Sequence, residues 1–313
     1  MSNVSSGTNR PADRVELEAA AQKLEQSPDY RVLRRLEPAT SFAPAPAEPL
    51  ARAVVVDVET TGISVTDDRM IEAALLAFEF APSSGAIIRV ADSYDGLEDP
   101  GRPIPPEATA IHGITDEMVR GRRLDEARMS DVIRGASLVI AHRASFDRPF
   151  LESRLPLLAQ LPWACSYEQI PWSAEGFSGA KLEYLAWQCG FFYEAHRSLV
   201  DCQALLELLR RPLPRSGRIA FDVLRRAADQ RAFRLWALES PFDAKDRLRE
   251  RGYRWHAERR CWHRTLGRDD ARSEAVWLKA EVYGGRAVQV EVETLDARTR
   301  FSSRPGPVAL RSL

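Results

Sequence analysis

Apolar residues along this chain change rhythm from one stretch to the next. Residues 51–59 (ARAVVVDVE) form a near-continuous β-branched run, the pattern of a strand buried on both faces. Two further apolar runs, 70–80 (MIEAALLAFEF) and 86–94 (AIIRVADSY), are separated by APSSG and predict a hairpin. Beyond them strand and helix signals alternate. LVIAH at 138–142 predicts a short buried strand, 148–158 a helix, and WACS at 163–166 another short strand. KLEYLAWQCG at 181–190 predicts a helix that Gly190 stops. Leu199, Cys202, Leu205, Leu206 and Leu209 then recur at helical spacing and mark one apolar face. Strands that meander first and alternate with helices later predict an α/β domain built on a mixed sheet.

Polar and breaker-rich stretches divide the chain. Residues 1–10 are polar and expected to lack fixed structure, whereas Val15, Ala19, Leu24, Val32 and Leu36 suit one or two short helices, giving an N-terminal helical segment over 1–37. The Pro/Ala-rich run at 38–50 predicts a linker that is neither helix nor central strand. The α/β domain spans 51–211, ending where Pro212 and Pro214 break the pattern. A small α+β module is expected over 212–296, followed by a polar tail over 297–313.

Composition narrows the class without naming a function. With 313 residues, 44% hydrophobic and 28% charged, the chain has material for one sizeable core and a smaller one. A net charge of -1 leaves a nucleic-acid partner open, because charge distribution matters more than its sum. Cys165, Cys189, Cys202 and Cys261 have no zinc-ligand spacing and suit small buried apolar positions. No apolar run reaches the length of a membrane span and the N-terminus has no signal-like core, so a cytoplasmic protein with no membrane partner is expected.

Five residues stand out chemically. Asp57 and Glu59 lie two apart at the end of an apolar strand, so both side chains point to one face. Two carboxylates side by side repel, and a bound cation is one resolution; solvation or a salt bridge is another. Asp147 falls where a buried strand turns into a helix, as an N-cap or as a ligand. His196 and Asp201 are five apart and can meet only if His196 lies in a loop before the helix that carries Asp201. Together, four carboxylates at strand ends and helix starts can hold two Mg²⁺ or Mn²⁺ ions roughly 4 Å apart and clamp a phosphodiester. A neutral histidine suits the general base that activates water.

VVVDVETTG at 54–62, AHRASFD at 141–147 and HRSLVD at 196–201 resemble, in order, the three motifs of the DEDDh family of 3′→5′ exonucleases, which includes the epsilon proofreading subunit of bacterial DNA polymerase III. The resemblance implies a ribonuclease H-like mixed sheet flanked by helices. It also implies two-metal hydrolysis from a 3′ end, with Asp57, Glu59, Asp147 and Asp201 as ligands and His196 as base. IHGIT at 111–115 is similar to a segment that packs against the terminal nucleotide, making Ile111 and His112 substrate contacts or, for Ile111, core. Thr60 and Thr61 are expected near the 3′ end. Arg143 stands where the family's second motif has Asn, and it either meets a phosphate or faces solvent.

Residues 241–264 carry eight Lys/Arg against four Asp/Glu, interleaved with Tyr253, Trp255 and Trp262. Such a segment is either a nucleic-acid grip or a small domain whose tryptophans form its own core. Three functions are carried forward: a DNA 3′→5′ exonuclease, preferred; an RNA 3′-trimming enzyme with the same site; and a catalytically silent nucleic-acid-binding protein. A DNA polymerase or repair complex is the expected kind of protein partner.

Overall fold

The computed structural model describes residues 11–313; the polar stretch at 1–10 lies outside the described residues. Chain order begins with α1 (Pro11–Glu25), β1 (Arg34–Arg35), β2 (Ala51–Thr60), β3 (Met70–Phe80) and β4 (Ile87–Leu97). Then come α2 (Pro106–His112), α3 (Asp116–Val119), α4 (Glu126–Ile133), β5 (Ala136–Ala141) and α5 (Ala144–Arg154). The first sheet is completed by β6 (Trp163–Cys165), followed by α6 (Ser166–Gln169), α7 (Leu182–Gln188), β7 (Phe191–Phe192), α8 (Ser198–Leu209) and α9 (Ala220–Asp229).

That sheet runs β4-β3-β2-β5-β6, with β3 antiparallel to both of its neighbours and β5 and β6 parallel to β2 and to each other. It is the mixed, helix-flanked, ribonuclease H-like sheet that the motifs implied. Strand β2 sits in its middle, and side-chain alternation sends the two halves of its apolar run to opposite cores. Ala53 and Val55 join α8, while Val54, Val56 and Val58 join α4 and α5. Asp57 and Glu59 share the parity of Val55, so they emerge on the α8 side.

Several boundaries differ from those expected. Residues 34–35 are extended, not helical, and pair in parallel with β7 as a separate two-stranded sheet. The linker at 38–50 lies along β4, where the N–H of Phe42 donates to the Ile88 carbonyl and that of Val90 donates to Thr40. The first core does not stop at Arg211: Phe221 on α9 packs edge-on against Phe78 and Phe80, ring centroids 5.1 and 4.7 Å away. A break in hydrophobic rhythm marks the end of a helix, and the next helix can still bury its apolar face in the same core.

The C-terminal quarter is a second five-stranded sheet, formed by β8 (Ala232–Ala237), β9 (Arg254–His256), β10 (Cys261–Leu266), β11 (Gln289–Leu295) and β12 (Val308–Ser312), all antiparallel in the order β12-β11-β8-β10-β9. Helices α10 (Lys245–Glu250) and α11 (Arg268–Trp277) supply Leu248 and Ala275 to its core beside Leu235, Tyr253 and Leu278. The polar tail is therefore structural, since Val308–Ser312 adds the outer strand. Residues just before it strap the two sheets together. The fully buried Arg148 guanidinium donates to the Arg300 carbonyl at 2.7 Å and pairs with Glu152 at 2.6 Å, and the Trp163 N–H donates to Ala297 at 2.7 Å.

Candidate active site

Pairing of β2 with β5 ends at Val55–Ile140, while pairing with β3 continues to Thr60. Past that point β2 has no neighbour on one side, and the freed Val58 N–H is taken by the Asp147 carboxylate at 3.3 Å. Asp147 is the fourth residue of α5, whose N-cap position is Arg143, so it is buried at the strand end and does not cap the helix. Asp201 comes from α8 on the other face. One carboxylate oxygen from each of Asp57, Glu59 and Asp201 lies within 4.8 Å of the others; Asp147 is not in that trio, but its charge acts on Asp57 and Glu59.

The trio holds more negative charge than the protein neutralises. Burial, then Asp147, Asp201 and Glu59, push Asp57 well above the usual carboxylate range. Glu59 is pushed up to about 8 by burial and by Asp201, Glu72 and Asp147. Burial lifts Asp147 to about 7 against its backbone hydrogen bonds, and it raises Asp201 as well. Clustered hard oxygen donors in this state fit divalent cations such as Mg²⁺ or Mn²⁺, whose charge would settle the repulsion.

Two neighbours hold the arrangement, and neither was singled out from sequence. Glu72 lies directly across from Glu59 in the β2–β3 register, a like-charge pair that costs stability on its own. Arg197 resolves it, its guanidinium donating twice to the buried Glu72 at 3.0 and 2.7 Å, while the Ser198 N–H donates to the second oxygen at 2.9 Å. This pins the start of α8. Asp201 is oriented by the Tyr193 hydroxyl and the Arg197 N–H, both donating at 3.0 Å. An arginine beside the motif histidine, and a glutamate of matching parity on the next strand, were the available signals.

His196 is exposed in the turn before α8, with φ at 66°, a left-handed conformation that a non-glycine residue holds only at a cost of about 1–3 kcal/mol. It lies close enough to weigh on Asp201 and His112 electrostatically. His112 is buried at the end of α2, its Nδ1 accepting from the Ile114 N–H at 3.0 Å, and its Nε2 has no partner among the described residues. Ile111 is 61% exposed, which removes the core reading for it. The Thr60 and Thr61 hydroxyls donate within their own loop, to Gly62 at 2.6 Å and Asp68 at 3.0 Å, and the Thr61 N–H donates to the Arg69 carbonyl at 2.8 Å. Arg143 is exposed, its guanidinium 5.0 Å above the Tyr167 ring. Beside it, buried His142 bridges the Ala180 carbonyl and Ser166 Oγ, both at 2.8 Å. Nε2 must donate to the carbonyl, so Nδ1 accepts from the serine.

The family model described as "Exonuclease" (RNase_T) matches residues 54–209. The chain is 31% identical over 161 residues to the DNA polymerase III subunit epsilon of Treponema pallidum (strain Nichols), covering 49% of this chain and 72% of that protein. It is 38% identical over 104 residues to the DNA polymerase III PolC-type of Bacillus subtilis (strain 168), spanning only 6% of that protein. Exonuclease X in complex with 5′ overhanging duplex DNA aligns with 55% of this chain and 98% of its own at 23% identity and a TM-score of 0.38. No helix among the described residues is long and apolar enough to cross a membrane.

Proposed function

This chain belongs to the exonuclease family, and we propose that within it the protein hydrolyses DNA from the 3′ end and releases nucleoside 5′-monophosphates. The observation that carries the reading is the approach of Asp57, Glu59 and Asp201 within 4.8 Å, with Asp147 beside them and too little positive charge nearby to offset them. Held by those four carboxylates, two Mg²⁺ or Mn²⁺ ions would supply the charge that stabilises the attacking and leaving oxygens.

The chain's own residues do the rest. His196 takes the proton from the water as its oxygen bonds to phosphorus, and the bond from phosphorus to the 3′ oxygen of the preceding nucleotide breaks with its electron pair. The left-handed turn holds the imidazole beside Asp201. Tyr193 and the Glu72–Arg197 pair keep Asp201 and the start of α8 in register with β2. Exposed Ile111, the loop that begins at Thr60 and Thr61, and the His112 nitrogen unpartnered among the described residues receive the terminal nucleotide, and Arg143 meets a phosphate.

The epsilon and PolC names of the relatives support DNA over RNA, a polymerase or repair complex as partner, and a cytoplasmic location. Oligonucleotides of matched DNA and RNA sequence, each with a free or blocked 3′ end, test this in Mg²⁺, Mn²⁺ and chelator. The expected result is mononucleotide release from free DNA 3′ ends that chelation stops. Faster RNA turnover would assign RNA trimming instead. Binding with no release under any metal would leave a silent binding protein.

A further inference from the structure

Where the two sheets meet, a cleft of about 620 Å³ opens between Ser145 and Pro149 on α5 and the face of β8, β9 and β10. Helix α5 thus carries Asp147 into the acidic site and presents neighbouring residues to the cleft. The cleft is walled by Arg234, Arg254, Arg264 and Arg300, with Glu168 as the one carboxylate on the wall among the described residues.

The protein only partly neutralises these cations. Arg234 pairs with Glu293 at 3.2 Å and Arg264 with Glu274 at 2.8 Å. Arg300 is 7% exposed and has no salt-bridge partner among the described residues: its guanidinium donates to the Ala227 and Gln230 carbonyls, and its Nε is buried with no partner among those residues. Arg254 is exposed on β9 and held by no salt bridge among the described residues. His263, also on the wall, has an unpartnered Nδ1 and is pushed down to about 4 by burial and then by Arg234, His256 and Arg254, which reports the local positive field. A buried cation without a counter-charge is costly, and an anion in the cleft relieves it.

We infer that this basic cleft between the two sheets binds the phosphate backbone of a single nucleic-acid strand, upstream of the 3′ end that the acidic site receives. The inference rests on the exonuclease reading for what is bound and for the direction of the strand. The volume is in the range of sites that hold a small organic ligand, room for a short run of one strand. Trp255 and Trp262, paired with each other in the β9–β10 register, lie on the opposite face of that sheet from Arg254 and His263, with Trp262 half-buried against the module's core, so the cleft grips a strand through its phosphates and not by stacking on these rings.

Fluorescence anisotropy in chelator, with labelled DNA of 3 and 12 nucleotides, reads binding without catalysis. The full-length chain is compared with Arg254→Ala, Arg254→Glu and the control Arg249→Ala, an exposed arginine on α10. The expected result is a roughly tenfold loss of 12-mer affinity in Arg254→Glu, a salt slope lower by about 1 in Arg254→Ala, and unchanged 3-mer binding. Unchanged 12-mer affinity, or an equal loss for both lengths, overturns the inference. Competition by a 12-residue polyglutamate as strong as by unlabelled DNA would assign the cleft to an acidic protein and overturn it too. A wild-type chain that binds the 12-mer through Arg254 but releases no nucleotide in Mg²⁺ or Mn²⁺ defeats the exonuclease reading and leaves the cleft standing.

Discussion

The acidic site and the basic cleft are built from opposite charges by the same rule. Elsewhere the chain pairs what it buries: Arg148 takes Glu152, and Arg154 takes Glu98 and Glu126. At the end of β2 carboxylates crowd together, pushed up from the usual range by burial and by one another, and between the sheets arginines line a wall with few acids. Charges left uncompensated cost stability, so each cluster implies a partner of the other sign: cations for the acids, phosphates for the arginines. They differ in stiffness. The acids hang on a central strand and two helix starts, whereas Arg254 sits on an edge strand of a smaller sheet.

The largest effect expected is from Asp201→Asn or Asp57→Asn, which should abolish mononucleotide release while 12-mer binding in chelator persists. The metal-free melting temperature should also rise, because one repelling carboxylate is gone. A near-wild-type release rate in either variant would break the acidic half of the comparison. His196→Ala should lower kcat by roughly 10²–10⁴-fold, the usual worth of a general base. Retained rates at saturating metal would exclude that role. Tyr193→Phe removes the hydroxyl that orients Asp201, so the metal concentration for half-maximal activity should rise about 10–100-fold with kcat at saturation largely kept. Loss of kcat alone would show that Tyr193 acts on something other than metal binding.

Histidines on the two halves give the smallest and most general test. His142 and His263 are both pushed down to about 4, chiefly by burial, from 6.5. Each stays neutral in the fold while the unfolded imidazole takes a proton below about 6.5, so stability is full above that pH and falls as pH drops toward 4. Melting temperature across pH 4–7 should show this decline. His142→Asn and His263→Asn should each flatten it by a similar amount, because both imidazoles are shifted to about the same value. Equal slopes in the three proteins would show that neither imidazole drives the acid loss.

Much of the site was legible because its chemistry is local. Asp57 and Glu59 share a face by strand parity, and Gly190 ending α7 left His196 in a loop before the helix that carries Asp201. The Glu72–Arg197 pair was not legible, since it depends on the β2–β3 register that sets Glu72 against Glu59. Nor was the burial of Phe221, which placed α9 in the first core after a proline break. The two-tryptophan segment divides between its two readings, with Trp262 half-buried against the module's core, Trp255 exposed, and Arg254 and Arg264 on the cleft wall.

By itself the amino-acid order determined the strands and helices that carry the motif acids, where those acids fall on them, and which family's motifs they resemble, because alternation, capping and turn preferences act within a few residues. Tertiary structure alone decided which acids meet, which arginines face a shared cleft, and that the tail closes the second sheet. Those outcomes depend on strand register and on packing between elements distant in sequence, where burial and the balance of neighbouring charges are set.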